Sequence, residues 1–307
     1  MAYQKKLHAA VIGLGRMGKH HVQACIDSDA VDQVSVYDER LEVTTEIAKE
    51  TGSHAIINID NLETQIDLAI VAVPTQFHAS ITLPILSSGI SCLVEKPIAA
   101  TEADTVAMID ATAKNRAFLG IGHVERFNPA ITALRSSLAS DLANGCRVTS
   151  FAARRLNLKA KRAYDVDAVL DLMIHDLDLL VELGIGAVSS IECAKGGTED
   201  CVSASLNLDS GITASFDVSR VAPSQNRGLT IETTGSTYEL DFTSRAVTRT
   251  VGGQATQLIV EEVDPLRTQL ASFIASMSGQ ESVVANGESG RAALHLANRI
   301  RNEAGLL

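Results

Sequence analysis

The chain has 307 residues, 46% hydrophobic and 21% charged, an ordinary globular composition that excludes a wholly disordered protein. A formal net charge of -11 argues against a protein built to grip nucleic acid or an anionic membrane, and aromatics at 4% with no Trp leave few base-stacking platforms. The longest strongly apolar stretch, Leu68 to Val73, is far too short to span a bilayer, and the first residues lack the apolar core of a secretory signal. Cys25, Cys92, Cys146, Cys193 and Cys201 form no C-x-x-C pair. They read as reduced core residues of a cytoplasmic protein, with neither a disulfide framework nor a zinc site.

Leu7 to Gly13 is an apolar run that predicts a strand, followed by a glycine turn and a helix through Ile26. Val34 to Tyr37 reads as a second strand and Glu42 to Glu50 as a helix. Asp67 to Val73 is a third strand ended by Pro74, with Ala79 to Ser88 at helical spacing after it. Cys92 to Glu95, Glu102 to Lys114 and Phe118 to Gly122 continue as strand, helix and strand. Continuous Val, Ile, Leu and Ala runs alternating with helices are what a parallel sheet covered on both faces requires. Residues 1–121 are therefore expected to form an α/β, doubly wound nucleotide-binding domain of the Rossmann type.

Beyond Gly122 the texture changes. Asn128-Pro129 looks like an N-cap with proline at the first helical position, opening a helix to about Leu142. Val202, Ala204, Leu206 and Leu208 alternate, Asp209-Ser210-Gly211 turns the chain, and Ile212, Ala214, Phe216 and Val218 alternate back. Leu229 to Thr233 and Tyr238 to Phe242 make a second such pair around Thr234-Gly235-Ser236. Asp264-Pro265 begins a late helix, and Arg291 to Asn302 forms another. Residues 122–307 thus predict an α+β domain with an open, mostly antiparallel sheet.

Gly13-Leu14-Gly15-Arg16-Met17-Gly18 is G-x-G-x-x-G between the first strand and the first helix. Such glycines allow a tight turn and close backbone approach to a pyrophosphate at a helix N-terminus. Asp38, about 20 residues beyond Gly18, ends the second strand where a carboxylate can take the adenosine ribose hydroxyls. The plainer reading is a glycine turn with an unrelated surface Asp, against which the whole strand–loop–helix context stands. Asp38 would repel a 2′-phosphate and so favours NAD over NADP, while Arg16 and Arg40 pull the other way.

Ala168 to Leu183 is mostly apolar, and its Asp171, His175, Asp178 and Glu182 follow i, i+4, i+7, i+11, so they share one helical face. Three readings stay open. The stripe is the solvent side of an amphipathic helix, or a metal-ligating set, or a polar seam facing a cleft with a histidine acid/base oriented by a carboxylate. Just upstream, Arg154, Arg155, Lys159, Lys161 and Arg162 crowd positive charge into an acidic chain. That segment is either a solvated loop or the contact for an anionic substrate, with Arg155 or Lys159 facing a diphosphate.

Val94-Glu95-Lys96-Pro97-Ile98, taken with the glycine loop, Pro74-Thr75-Gln76-Phe77-His78 and Asp171-x-x-x-His175, strongly resembles the Gfo/Idh/MocA oxidoreductases over almost the whole chain. The resemblance implies an NAD-dependent enzyme whose catalytic residues are Lys96, Asp171 and His175, which also touch substrate. It implies cofactor contacts from Gly13, Gly15, Arg16, Met17, Asp38, Pro74, His78 and Glu95, and no metal. Lys96 or His175 would take the hydroxyl proton as hydride leaves, with Asp171 holding the geometry. Residues 122–130 and 165–176 look like the branch that oxidises the 3-hydroxyl of UDP-N-acetylglucosamine ahead of transamination toward lipid A diamino sugars. The alternatives are a dehydrogenase of a free polyol or hexose such as myo-inositol, and a non-catalytic NAD(P)-binding regulator. The resemblance also implies a homodimer or homotetramer built through the open sheet.

Overall fold

The computed structural model describes residues 6–59, 66–159, 165–194 and 197–307. Numbered along the chain, the first sheet takes β1 (Leu7–Ile12), β2 (Val31–Tyr37), β3 (His54–Ala55), β4 (Leu68–Val71), β5 (Ser91–Val94) and β6 (Leu119–Ile121). These strands run parallel in the order β6-β5-β4-β1-β2-β3. The strand order reverses direction between β1 and β4, and a doubly wound sheet opens a crevice at such a point. The intervening helices are α1 (Arg16–Ile26), α2 (Leu41–Thr51), α3 (His78–Ser87) and α4 (Glu102–Asn115). β4, β5 and β6 are buried at every residue, which is why they read as unbroken apolar runs.

The remaining elements are α5 (Pro129–Ala143), β7 (Val148–Leu156), a π-helical turn at Val169–Met173, α6 (Ile174–Glu182), β8 (Val188–Cys193), β9 (Cys201–Leu208), β10 (Thr213–Ser219), β11 (Asn226–Thr233), β12 (Thr237–Asp241), β13 (Ala246–Val251), β14 (Gln254–Gln257), α7 (Pro265–Met277), β15 (Ala285–Asn286) and α8 (Gly287–Glu303). The second sheet has the order β14-β13-β12-β11-β7-β10-β9-β8. Only the central β7–β10 pair is parallel. Its strands alternate buried and open residues, as β9 does from Val202 to Leu208. One face carries Phe151, Ala153, Leu206, Phe216 and Ile231 inward, and the other presents Ser203, Ser205, Ser215 and Thr230. The expected caps are present: Asn128 Oδ1 accepts the Ala130 N–H, and Asp264 Oδ1 accepts those of Leu266 and Arg267. Among the described residues no helix is long and apolar enough to cross a membrane.

Two expectations need correction. The chain divides into one unit of Met1–Val124 with Asp264–Arg291 and another of Glu125–Val263 with Ala292–Leu307, so a single cut after residue 121 does not describe it. The late segment returns because α7 has partners in the first unit: Arg267 pairs with Asp27, the Phe273 ring lies 5.8 Å from that of Phe118, and β15 joins β6 antiparallel. The cysteines are all free thiols, but only Cys25 and Cys92 are core residues; Cys146 and Cys193 are half-buried and Cys201 is exposed. Strand alternation accounts for the last, since Cys201 sits on the open side of β9.

In the second unit α5 is tied to the sheet by one carboxylate. Asp141 accepts from Ser236 Oγ, Tyr238 OH and Arg249 Nη2, each at 2.6 Å. Burial alone would raise its pKa, but these bonds from Arg249, Ser236 and Tyr238 outweigh it and hold the carboxyl at about 2, below its ordinary 3.8. The fold therefore binds the charged form, and this contribution is complete above pH about 4 and lost as pH falls toward the folded value. Asp141→Asn is expected to cost up to about 2 kcal/mol at neutral pH in urea denaturation. The gap to the wild type should close as the solution is acidified from pH 4 to pH 2, and a gap that stays constant would exclude this account.

Candidate active site

The glycine loop leaves β1 at its carboxyl end. Gly13 has φ +89, and a Cβ there would lie 2.7 Å from the backbone of Ala72. At Gly18 a Cβ would come within 1.8 Å of the Gly13 carbonyl oxygen, so only glycine lets α1 start this close to the strand. Around Gly15 the space is open, and α1 begins there with no side-chain cap and no acidic residue in its first turn. Gly15 and Arg16 are exposed and Met17 is half-buried. A helix N-terminus left in this state suits the pyrophosphate of a dinucleotide.

Asp38 directly follows β2 and accepts the Leu14 N–H at 2.9 Å and the Arg40 Nε–H at 2.9 Å. Burial works to raise its pKa, and the bonds from Arg40 and Leu14 overcome that and hold the carboxyl below the usual range. The expected ribose acceptor is thus an anion that also shapes the loop, and its pairing with Arg40 takes up the charge that would have favoured a 2′-phosphate. The residues present fit a dinucleotide.

Pro74 follows β4 and is exposed, and Lys96 follows β5 and is half-buried. All of these positions lie at the carboxyl ends of parallel strands, on the side where ligands of doubly wound sheets sit. Two of the expected cofactor contacts have other roles. His78 is 1% exposed, with its ring nitrogens 2.9 Å from the Pro97 carbonyl oxygen and 3.0 Å from that of Val73. Burial favours its neutral ring, against the pull of those carbonyls, so its single N–H donates to one of the two while the ring sits between the Pro74 turn and the Lys96-Pro97 turn. The Glu95 carboxylate is buried against His21 Nε2 at 2.8 Å and accepts the Lys96 backbone N–H at 3.2 Å. The His78 side chain has almost no surface to offer a cofactor, and that of Glu95 is 10% exposed.

In the second unit the site helix begins at Asp167, whose Oδ1 accepts the N–H groups of Val169 and Leu170. Its first turn is π-helical, a widening common at functional sites. No residue from Ala168 to Leu180 is exposed, so the solvent-face reading fails. The three acids expected to share a face with His175 do not form one seam either. Asp178 is buried and takes Arg126 through Nε at 2.7 Å and Nη2 at 2.6 Å. Asp176, off the expected face, takes Arg155 twice at 2.8 Å. Glu182 lies 2.8 Å from Arg135, and Asp171 lies 4.0 Å from Arg220. Asp171 and His175 are half-buried one turn apart. Among the described residues no three His, Cys, Asp or Glu side chains converge on a metal-sized site.

Arg155 corrects the reading of the basic segment. Its side chain is 0% exposed, its third nitrogen gives a 2.8 Å bond to Glu125, and its guanidinium lies 4.3 Å from the Phe242 ring centroid. A diphosphate cannot reach it. Burial works against the Arg155 cation, and the charges of Asp176 and Glu125 raise its pKa above the ordinary value. Glu125 is likewise held below its usual range, burial being outweighed by Arg155. Arg154 and Lys159 are exposed, while Lys161 and Arg162 lie outside the described residues. Sequence reasoning missed Arg220 and Arg227 altogether; both flank the 221–226 segment at the end of the sheet where β10 finishes and β11 begins. It also gave no role to Glu125 or His21.

Known proteins match both units. The family description "Oxidoreductase family, NAD-binding Rossmann fold" covers residues 7–123, and "GFO/IDH/MocA C-terminal domain" covers residues 144–240. A UDP-N-acetylglucosamine 3-dehydrogenase from Acidithiobacillus ferrooxidans is 26% identical over 96% of both chains. Its solved structure superposes with a TM-score of 0.90 at 25% identity, covering 98% of this chain and 99% of that one. An inositol 2-dehydrogenase from Corynebacterium glutamicum is 22% identical over 70% of this chain and 67% of its own. The WlbA dehydrogenase of Bordetella pertussis, solved with NADH and UDP-GlcNAcA, shares the fold with a TM-score of 0.82 at 18% identity, over 98% of this chain and 96% of that one. The chain belongs to the Gfo/Idh/MocA family of oxidoreductases, and its first unit holds that family's NAD-binding domain.

Because Arg155 answers two buried carboxylates, Arg155→Ala should destabilise the protein by about 3–5 kcal/mol by leaving them uncompensated. Chemical denaturation measures this. A loss below about 1 kcal/mol, the range of exposed pairs, would return Arg155 to the list of substrate contacts.

Proposed function

We propose that this protein oxidises a secondary hydroxyl of a sugar to a ketone with NAD+, and that the sugar is UDP-N-acetylglucosamine, attacked at its 3-hydroxyl. The observation that carries the reading is similarity to a UDP-N-acetylglucosamine 3-dehydrogenase across 96% of both chains, with Lys96, Asp171 and His175 all present. When bound, NAD+ supplies the hydride acceptor. Asp38 receives the ribose hydroxyls and discourages a 2′-phosphate. Lys96, Asp171 and His175 are the proposed catalytic residues. His175 or Lys96 takes the hydroxyl proton, and the other donates a hydrogen bond to the oxygen as its charge changes. Asp171, one turn before His175, orients the imidazole and balances the charge it gains. Lys159, exposed beyond the end of β7, is available to an anionic substrate.

The product class fits the 3-keto sugar that a transaminase would convert toward a lipid A diamino sugar, in the cytoplasm, where five free thiols persist. Similarity to an inositol 2-dehydrogenase favours a second reading, oxidation of a free polyol. NADH absorbance with UDP-N-acetylglucosamine, myo-inositol and glucose, in the presence of a carbonyl trap, separates the two. Turnover of the polyol alone would overturn the nucleotide-sugar reading and keep the catalytic residues.

Lys96→Ala and His175→Ala are each expected to lower turnover about 100-fold or more while NADH fluorescence binding persists. Near-normal turnover in both would sink the assignment. The dimer or tetramer we propose uses the open face of the second sheet, a reading supported by its short Ser and Thr side chains, which allow close approach of two sheets. Light scattering on Ser215→Arg and Thr230→Arg tests it, and a wild-type protein that is monomeric would refute it.

A further inference from the structure

Arg227 stands directly across from Arg155 in the β11–β7 ladder, so both side chains rise from the same face of the sheet toward the site helix. Their surroundings differ. Arg155 is saturated by Asp176 and Glu125. Arg227 Nη2 lies 3.8 Å from Glu125 Oε1, the very oxygen that Arg155 already holds at 2.8 Å. Its Nε is buried and makes no hydrogen bond among the described residues. A guanidinium does not lose its proton in such a place, so the group remains a cation with donors to spare.

Access differs as well. The Arg227 side chain is 31% exposed, whereas that of Arg155 is 0% exposed. Burial and the neighbouring Arg155 both disfavour its charge, while Glu125, Asp176 and Asp171 favour it. The Asp171 influence puts Arg227 within electrostatic reach of a proposed catalytic carboxylate.

We propose that Arg227 is the anion-recognition residue of the substrate site, meeting an oxyanion of the substrate with the exposed part of its guanidinium. The inference rests on the nucleotide-sugar reading and deepens it by naming what grips the charged part. Glu125, already bound to Arg155, compensates Arg227 only in part at 3.8 Å, so the exposed side of the guanidinium keeps donors for an anionic ligand. A planar fork suits a phosphoryl group or a carboxylate and gains nothing from a neutral polyol.

The test is steady-state kinetics on Arg227→Gln and Arg227→Lys with NAD+ and UDP-N-acetylglucosamine, using UDP as a competitive inhibitor. In Arg227→Gln the KM for the UDP-sugar and the Ki of UDP should each rise about tenfold or more. kcat should stay within about threefold and NADH affinity should not move, because the lost interaction binds ground state and transition state alike. Arg227→Lys, which restores charge without the fork, should fall between, and it keeps the test available if the glutamine variant fails to fold. Unchanged UDP inhibition with a raised KM only for a UDP-sugar uronate would assign the oxyanion to the sugar carboxylate. Unchanged KM and Ki with every anionic ligand would overturn the inference, as would a fall in kcat at constant KM, which would mean action through Asp171. A wild-type protein that oxidises only neutral sugars and does not bind UDP would overturn the underlying reading instead.

Discussion

The second unit depends on how a carboxylate-rich helix is buried. Residues 169–182 place Asp171, Asp176, Asp178 and Glu182 among apolar neighbours, where an uncompensated ion would cost several kcal/mol. Each acid is answered by an arginine from a different element: Arg220 after β10, Arg155 on β7, Arg126 before α5 and Arg135 within α5. Such pairs add little net stability, since desolvation consumes most of their attraction. What they supply is position. Two bidentate pairs at Asp176 and Asp178 fix the rotation of α6 about its axis, and that rotation decides where His175 points.

The first unit solves a related problem with fewer charges. Its ligand-facing turns leave the ends of β1, β4 and β5 as separate loops and have to be held in mutual register. His78 sits between the turn after β4 and the turn after β5 with a ring nitrogen facing a carbonyl of each, and the His21–Glu95 pair joins α1 to the strand end that carries Lys96. Asp38 does the same for β2 and the glycine loop through Leu14. These residues act by positioning others. That is why a motif can contain His78 and Glu95 although both side chains are largely buried.

The parallel sheet was legible because its signals are local: continuous apolar strands, a glycine loop between strand and helix, an Asp at the end of β2. Boundaries shifted, as where β2 begins at Val31 and not Val34, and the two-residue edge strand β3 was too short to read. The second unit was legible in its hairpins but not at its centre. β7 read as a basic segment because Arg155 interrupts the apolar alternation on its covered face, and its partner Asp176 lies 21 residues away. Arg126 and Asp178 are 52 residues apart. Ion pairs across such separations leave no periodic trace, and neither does the π turn, which breaks the 3.6-residue count used to put Asp171, His175, Asp178 and Glu182 on one face. The return of Asp264–Arg291 to the first unit was hidden for the same reason.

Charge balance around the site helix bears on what it can receive. The chain as a whole is acidic at -11, and a site lined by that excess would reject a nucleotide. Asp176, Asp178 and Glu182 add little to such a field, because each lies within 2.8 Å of an arginine, while Asp171 is 4.0 Å from Arg220. Glu125 is shared between Arg155 and Arg227. Neutralisation of the acids is therefore a precondition for anion recognition as much as a structural device. It lets a single partly satisfied guanidinium set the local sign, in a protein whose overall charge points the other way.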